Sequence, residues 1–192
     1  KEKTDFDKPR IIICNHQSIL DPMYFMMLTP KVLVGTGEHV WKNRVIHRVL
    51  RFSDFFTVGD GVGSVLDQCR DRIREGYSIA VYPEGARSHD GRILRFHNGS
   101  FYLAEQLGLD ILPIFIHGLT DVMPKSSGVC FRGKITVEVG KRLAPNDISM
   151  GDTYQQRTKA MRHFYEQKIA QMSREIETAR YFHTVVAASC AY

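Results

Sequence analysis

Residues 11–21 read Ile-Ile-Ile-Cys-Asn-His-Gln-Ser-Ile-Leu-Asp, and they predict the first strand, loop and helix of the chain. Its four apolar residues are mostly β-branched and too few for a helix, so they predict a buried strand that ends before Asn15. Asp21 stands directly before Pro22 and a second apolar run, which predicts a helix with Asp21 as N-cap and Pro22 at its first position. The order strand, loop, helix therefore places His16 at the carboxyl end of a strand, with Asp21 at the far end of the same loop.

His16 and Asp21 together have the chemistry of an acid–base pair. A histidine works as a general base when its second ring nitrogen is held in place, and a carboxylate at the start of the next helix is able to hold it. The same two residues also fit a loop histidine with no catalytic role beside a carboxylate that only caps its helix. The local sequence leaves both interpretations open, so other segments are needed to separate them.

The composition indicates one globular domain with an anionic partner. The 192 residues are 43% hydrophobic and 24% charged, which is typical of a folded domain with a sizeable core. The net charge of +5 favours a lipid head group, a nucleotide-tagged substrate or nucleic acid. Because the sequence has no known nucleic-acid-binding motif, we expect no nucleic acid among its partners.

The first residue and the cysteines of the chain indicate whether it is a piece of a longer protein and in which redox environment it works. It begins with Lys1 rather than Met, so we interpret it as a piece of a longer or processed protein, in which additional domains are possible. Neither a signal peptide nor a run of roughly 20 apolar residues that would span a bilayer is present. The four cysteines are far apart and lack disulfide or metal-site spacing. The sequence therefore predicts a reduced, cytoplasmic setting and no metal site.

Hydrophobic periodicity along the chain predicts alternating strands and helices. The predicted strands, after the one at 11–14, lie near residues 31–36, 54–58, 78–82, 111–116 and 133–140. The predicted helices lie near residues 22–29, 41–51, 62–75, 96–107 and 152–182. The helix at 41–51 has a basic face, which fits either an ordinary solvated surface or a surface that meets anionic lipid. The last helix carries an apolar stripe that is more typical of core packing than of membrane contact.

A second group of polar residues follows the predicted strand at 78–82. It reads Glu84-Gly85-Ala86-Arg87-Ser88, and in open α/β sheets ligand sites usually lie at the carboxyl ends of the strands. Arg87 offers a planar fork for a phosphate or carboxylate, and Gly85 lets the backbone approach a ligand. Glu84 is able to bind a hydroxyl or to fix Arg87. A plain turn with a surface ion pair fits the same residues.

Taken together, the two groups resemble the glycerolipid (lysophospholipid, 1-acylglycerol-3-phosphate) acyltransferase family. Its first block is N-H-x-x-x-x-D, as in residues 15–21, and its third is E-G-T-R-S, as in residues 84–88 except for Ala86. Residues 95–101 are similar to the family's F-K-x-G-x-F stretch, and residues 112–114 are similar to its fourth block, in which a proline stands between apolar residues. The resemblance covers roughly residues 8–142.

The resemblance implies a fold. It is an α/β domain at residues 1–150 with a mixed, mostly parallel central sheet flanked by helices. A C-terminal helical extension follows at residues 151–192. Within the sheet, Pro113 cannot donate a ladder hydrogen bond, so it predicts a strand start, a bulge or an edge.

The resemblance also implies a reaction and a set of site residues. The reaction moves a fatty acyl group from acyl-CoA or acyl-carrier protein to a lysolipid hydroxyl during phospholipid biosynthesis, and it needs no cofactor or metal. His16 would be the general base and Asp21 the residue that orients it. The residues implied for substrate binding are Asn15, Glu84, Gly85, Arg87, Ser88 and Pro113. Because the substrates are lipids, we expect peripheral attachment at the cytoplasmic side of a membrane.

One departure from the family pattern affects the acceptor. The second block of the family usually carries an arginine for the acceptor phosphate, but residues 54–60 contain none. Arg87 is able to serve one phosphate, and Arg70, Arg72 or Arg92 could also take the place of the missing arginine. An acceptor with an amino-acid-linked head group fits equally well. A catalytically silent module of a multidomain protein, which binds lipid or acyl carrier without turnover, is the alternative function.

Overall fold

The stretch at residues 11–14 forms the predicted buried strand, in the interior of a sheet. The computed structural model of the protein describes residues 6–37, 54–57 and 62–189, apart from 126 and 128. Side chains are described up to residue 176, except those of 57, 62 and 64. Ile11, Ile12 and Cys14 are completely buried, because helices cover both faces of this strand.

Six strands of the described chain form one sheet. They are β1 (Ile11–Cys14), β2 (Val32–Thr36), β3 (Phe55–Thr57), β4 (Ser78–Val81), β5 (Ile111–His117) and β6 (Thr136–Val139). Their order across the sheet is β3-β2-β4-β1-β5-β6. Neighbouring strands are parallel except β5 and β6, which are antiparallel. The expected mixed and mostly parallel central sheet is confirmed.

Helices lie on both faces of this sheet. They are α1 (Asp21–Leu28), α2 (Val62–Arg74), α3 (Gly99–Leu107), α4 (Leu119–Val122) and α5 (Tyr154–Ser189). Side chains of α2, α3 and α5 share one core with Ile11 and Ile13. Side chains of α1 and α4 share a second core with Ile12 and Cys14. Because successive strand residues point to opposite faces, β1 contributes to both cores.

The apolar stripe of α5 packs in the core, as its spacing predicts. Met161, Tyr165 and Met172 are almost completely buried. The Tyr165 hydroxyl donates a hydrogen bond of 2.7 Å to the carbonyl oxygen of Ile13. A buried phenol needs such a partner, and this one connects α5 to the strand that leads to His16.

Pro113 lies at a bulge, one of the three positions that its missing N–H predicts. It is in β5, an interior strand, with β1 on one side and β6 on the other. Ile114 pairs with Val139, so a regular ladder would pair Ile111 with residue 142, yet Ile111 pairs with Leu143. The N–H of Gly140 still donates to the carbonyl of Pro113 at 2.8 Å, so the extra residue lies between Gly140 and Leu143, beside the proline that has no N–H to offer.

The helix predicted at 96–107 begins later than expected, at Gly99. The residues before it are used to hold the end of β4. The N–H of Leu94 donates to Glu84 at 2.8 Å, and the N–H of His97 donates to the carbonyl of Pro83 at 2.8 Å. These two bonds hold residues 94–97 against the end of β4 in a non-helical path, and the helix begins after them.

Two expectations concern segments that the structure describes only in part or not at all. The basic helix predicted at 41–51 lies outside the described residues, as do residues 58–60 of the segment that lacks the second-block arginine. Within the described part of the chain, no helix combines the length and apolar composition that crossing a membrane requires.

Candidate active site

The imidazole of His16 and the carboxylate of Asp21 form a direct pair. β1 ends at Cys14 and α1 begins at Asp21, so His16 lies in the short loop between them and Asp21 is the first residue of the helix. His16 Nδ1 lies 2.7 Å from Asp21 Oδ2. Because a carboxylate only accepts, Nδ1 carries the proton, and Nε2 of the neutral ring is then the acceptor. The His16 side chain is 19% exposed, and Nε2 has no hydrogen-bond partner among the described residues.

Asp21 does not cap its helix, and that part of the prediction is wrong. The N-cap is Leu20, without a side-chain cap. Asp21 Oδ2 accepts hydrogen bonds from the N–H groups of Gln17 at 2.7 Å and Ser18 at 3.0 Å, as well as from His16. The carboxylate is completely buried, so it points back into the loop and fixes the loop's shape around the imidazole.

Asn15 connects the start of this loop to the neighbouring strand. Its side-chain amide donates to the carbonyl of Ile116 at 2.8 Å, and its side-chain oxygen accepts from the N–H of Ile116 at 2.9 Å. The Asn15 side chain therefore adds one more pair of hydrogen bonds between the end of β1 and β5. Asn15 is only 1% exposed. Its described contacts are structural.

Glu84 and Ser88 hold the backbone of His16 from the side of β4. Glu84 Oε1 accepts from the N–H of His16 at 2.7 Å, and the N–H of Ser88 donates to the carbonyl of His16 at 2.9 Å. Both residues are almost completely buried. The structure therefore brings the two predicted groups together, because β1 and β4 are adjacent parallel strands whose carboxyl ends lie at the same edge of the sheet.

The buried position of Glu84 has a consequence for stability. Burial raises the pKa of Glu84 to about 7, although its two backbone hydrogen bonds favour the charged form. Because the folded protein then holds this proton more tightly than the unfolded chain does, Glu84 lowers stability as pH rises from about 4.5 to about 7.

We predict that urea unfolding of wild type and Glu84→Gln will show this pH dependence. The glutamine cannot ionise, so relative to the variant the wild type should lose up to about 3 kcal/mol of unfolding free energy between pH 5 and pH 8. Taking the difference cancels the titration of all other groups. A difference that stays constant across this pH range would contradict the prediction.

Gly85, Ala86 and Arg87 are the residues of the third block that remain accessible. Gly85 is exposed and has a φ of 65°, which favours glycine. The side chain of Arg87 is half-buried and makes no ion pair or hydrogen bond within the described chain, while its backbone carbonyl accepts from Lys125 Nζ at 2.9 Å. Pro113 is a buried strand residue in register with Ile13. The accessible candidates for a ligand are therefore Gly85 and Arg87.

Two residues near His16 were not predicted from the sequence. The ring of Tyr82 stacks on the His16 imidazole, with centroids 4.1 Å apart. The side-chain oxygen of Gln17, a buried residue, accepts from the N–H of Leu119 at 3.1 Å. The position of Tyr82, between a strand and the Pro-Glu-Gly turn, was the available signal. Among the described residues, no three His, Cys, Asp or Glu side chains are grouped in a way that would hold a metal ion.

Comparison with known proteins gives consistent matches. A family model described as Acyltransferase matches residues 1–117. A 1-acyl-sn-glycerol-3-phosphate acyltransferase of Chlamydomonas reinhardtii is 33% identical over 153 residues, which is 73% of this chain and 44% of that protein. The human 1-acyl-sn-glycerol-3-phosphate acyltransferase beta is 27% identical over 151 residues, 76% of this chain and 54% of that protein. The chain thus spans about half the length of these relatives.

A solved structure shows the same fold. The 1-acyl-sn-glycerophosphate acyltransferase of Thermotoga maritima superposes with a TM-score of 0.67 at 22% sequence identity. The match covers 89% of this chain and 67% of that one.

Proposed function

The chain belongs to the acyltransferase family, and from this premise we propose that it transfers a fatty acyl group from a thioester donor to the hydroxyl of a lysophospholipid. The observation that carries the proposal is the His16–Asp21 pair at 2.7 Å, with Nε2 of the imidazole left without a protein partner among the described residues. The relatives named above act, by their names, on 1-acylglycerol 3-phosphate.

The reaction needs a base, and we propose that His16 supplies it. Nε2 takes the proton of the acceptor hydroxyl as the oxygen attacks the thioester carbonyl carbon, so that a C–O bond forms. When the resulting intermediate collapses, the C–S bond breaks, and the imidazolium returns the proton to the departing sulfur. Atoms and charge balance without a covalent enzyme intermediate.

Asp21 supports both states of the imidazole in this scheme. Its hydrogen bond to Nδ1 selects the neutral tautomer in which Nε2 is free to accept. Its charge then stabilises the imidazolium that forms during the transfer. Glu84 and Ser88 hold the backbone of His16, so we propose that they position the base rather than contact substrate.

Arg87 is our candidate for the acceptor phosphate. A guanidinium binds phosphate with two parallel N–H···O bonds, and that of Arg87 has no described protein partner to displace. The next residue, Ser88, donates its N–H to the carbonyl of His16. This hydrogen bond holds the third block beside the loop that carries His16. Because the acceptor is an amphiphile, we propose that the protein works while peripherally attached to a membrane surface.

A panel of acceptors tests this proposal. Thioester consumption and acylated product are followed with acyl-CoA and with acyl-carrier protein. The acceptors are 1-acylglycerol phosphate, a monoacylglycerol and an amino-acid-linked lysolipid. We expect transfer to the phosphate-bearing acceptor, with a KM that rises about 10- to 100-fold in Arg87→Ala because a charged hydrogen-bond partner is lost. Arg74→Ala is the matched control, since Arg74 is highly exposed and pairs with Asp71 of the same helix.

The other outcomes of the panel are also informative. Equal transfer to the neutral acceptor, unchanged in Arg87→Ala, would rule out the phosphate contact. Transfer to the amino-acid-linked lysolipid alone would mean that this lipid, and not a lysophospholipid, is the acceptor. Lipid or donor binding without any transfer would favour the catalytically silent module.

A further inference from the structure

Tyr82 contributes a flat surface to the His16 imidazole. The two ring centroids lie 4.1 Å apart, and the ring planes are inclined by only 22°. Tyr82 also contacts Phe25 of α1, with centroids 5.7 Å apart, and Phe25 is completely buried. The tyrosine directly follows β4, so a core residue on one side and the end of a strand on the other fix its position.

A single hydrogen bond does not fix an imidazole. The bond from Nδ1 to Asp21 restrains one atom, but the ring can still tilt about that contact. A stacked aromatic face restrains the plane of the ring as well, and together the two contacts set the direction in which Nε2 points.

The hydroxyl group of Tyr82 is not what makes this contact. Its oxygen is buried and has no hydrogen-bond partner within the described part of the chain. Burial, with smaller contributions from Asp21 and Cys14, raises the pKa of Tyr82 well above its usual value. The phenol therefore stays neutral, and the aromatic ring alone contacts the imidazole.

We infer that Tyr82 is a positioning residue, whose ring holds the His16 imidazole in the orientation that acyl transfer requires. The inference rests on the proposed function, in which His16 is the base. Because the aromatic ring, and not the hydroxyl, makes the stack, phenylalanine at position 82 should preserve the role of the tyrosine, and an aliphatic residue there should not. Phenylalanine would also remove a buried hydroxyl that is unpaired in the described structure.

Proton NMR of the chain labelled at histidine measures the stack directly. The ring protons of His16, identified by their loss in His16→Ala, should lie upfield because they face an aromatic ring. They should move downfield in Tyr82→Leu and stay in place in Tyr82→Phe. Tyr102→Leu is the control, since Tyr102 makes an edge-to-face contact with Tyr154 instead. If Tyr82→Leu does not fold, the wild-type spectrum still tests the stack, because its His16 protons must lie upfield of those of exposed His163.

Steady-state kinetics tests the role. We expect Tyr82→Leu to lower kcat of acyl transfer about 10- to 100-fold with little change in acceptor KM, because a misdirected base slows chemistry rather than binding. Tyr82→Phe should keep near wild-type kcat. A Tyr82→Phe variant as slow as Tyr82→Leu, or unshifted His16 protons in folded Tyr82→Leu, would overturn the inference. Absence of transfer in the wild type would overturn the proposed function, while the NMR result would still report on the stack.

Discussion

Replacing His16 with alanine is expected to lower kcat of acyl transfer by a factor on the order of 10²–10⁴, the usual contribution of a general base. The imidazole is the group in the candidate site whose free nitrogen is oriented by a buried carboxylate, and alanine removes it entirely. Stability should change much less, because the His16 backbone keeps its bonds to Glu84 and Ser88. Initial rates with saturating donor and acceptor, together with urea unfolding, measure the two effects.

The matched control for this experiment is His163→Ala. His163 lies on α5 with a side chain that is 68% exposed, and it contacts Glu166 and Gln167 of the same helix. Its removal should leave kcat unchanged. Near wild-type turnover in a folded His16→Ala variant would eliminate His16 as the base and with it the proposed mechanism.

The strand and loop around His16 could be predicted because their signals are local. Four apolar residues followed by Asn15 and His16 indicate a strand end in any context, and β1 is found as predicted. The orientation of the Asp21 carboxylate could not be predicted in this way. The sequence is the same whether Asp21 caps the helix or bonds back to the loop. Which of the two occurs depends on the N–H groups that the folded loop presents to the carboxylate.

For the third block, residues 84–88, the sequence predicted the position of the block but not the direction of its side chains. Its position at the end of a strand predicted a ligand site there, and in the structure Glu84 and Ser88 contact the backbone of His16. The sequence could not tell which of these side chains would face a ligand. Glu84 and Ser88 are instead buried against the His16 backbone, a contact between residues 68 to 72 positions apart that exists only after β1 and β4 pair.

Contacts between distant strands were the least predictable part of the site. Asn15 bonds with Ile116 across 101 residues, and Tyr82 stacks on His16 only because β4 is the neighbour of β1. Neither polarity nor periodicity encodes strand order. The motif therefore predicts the reacting groups, whereas the groups that orient them become visible only in the folded structure.

Replacing Asp21 with asparagine is expected to lower kcat by a factor on the order of 10²–10⁴ while the protein stays folded. Asparagine keeps an oxygen that accepts from the N–H groups of Gln17 and Ser18, so the loop retains its main hydrogen bonds. It lacks the negative charge that stabilises the imidazolium. Asp21→Ala should lose the same activity and also stability, because each buried N–H left unpaired costs about 1–3 kcal/mol.

Rates and urea unfolding of both variants separate the charge of Asp21 from its hydrogen bonds. Asp67→Asn serves as the control, since that carboxylate is 78% exposed. If His16 and Asp21 act as one unit, the double variant His16→Ala, Asp21→Asn should be no slower than His16→Ala alone, because a carboxylate has no imidazolium left to stabilise. Additive losses in the double variant would mean that Asp21 acts on the reaction by a route that does not pass through His16.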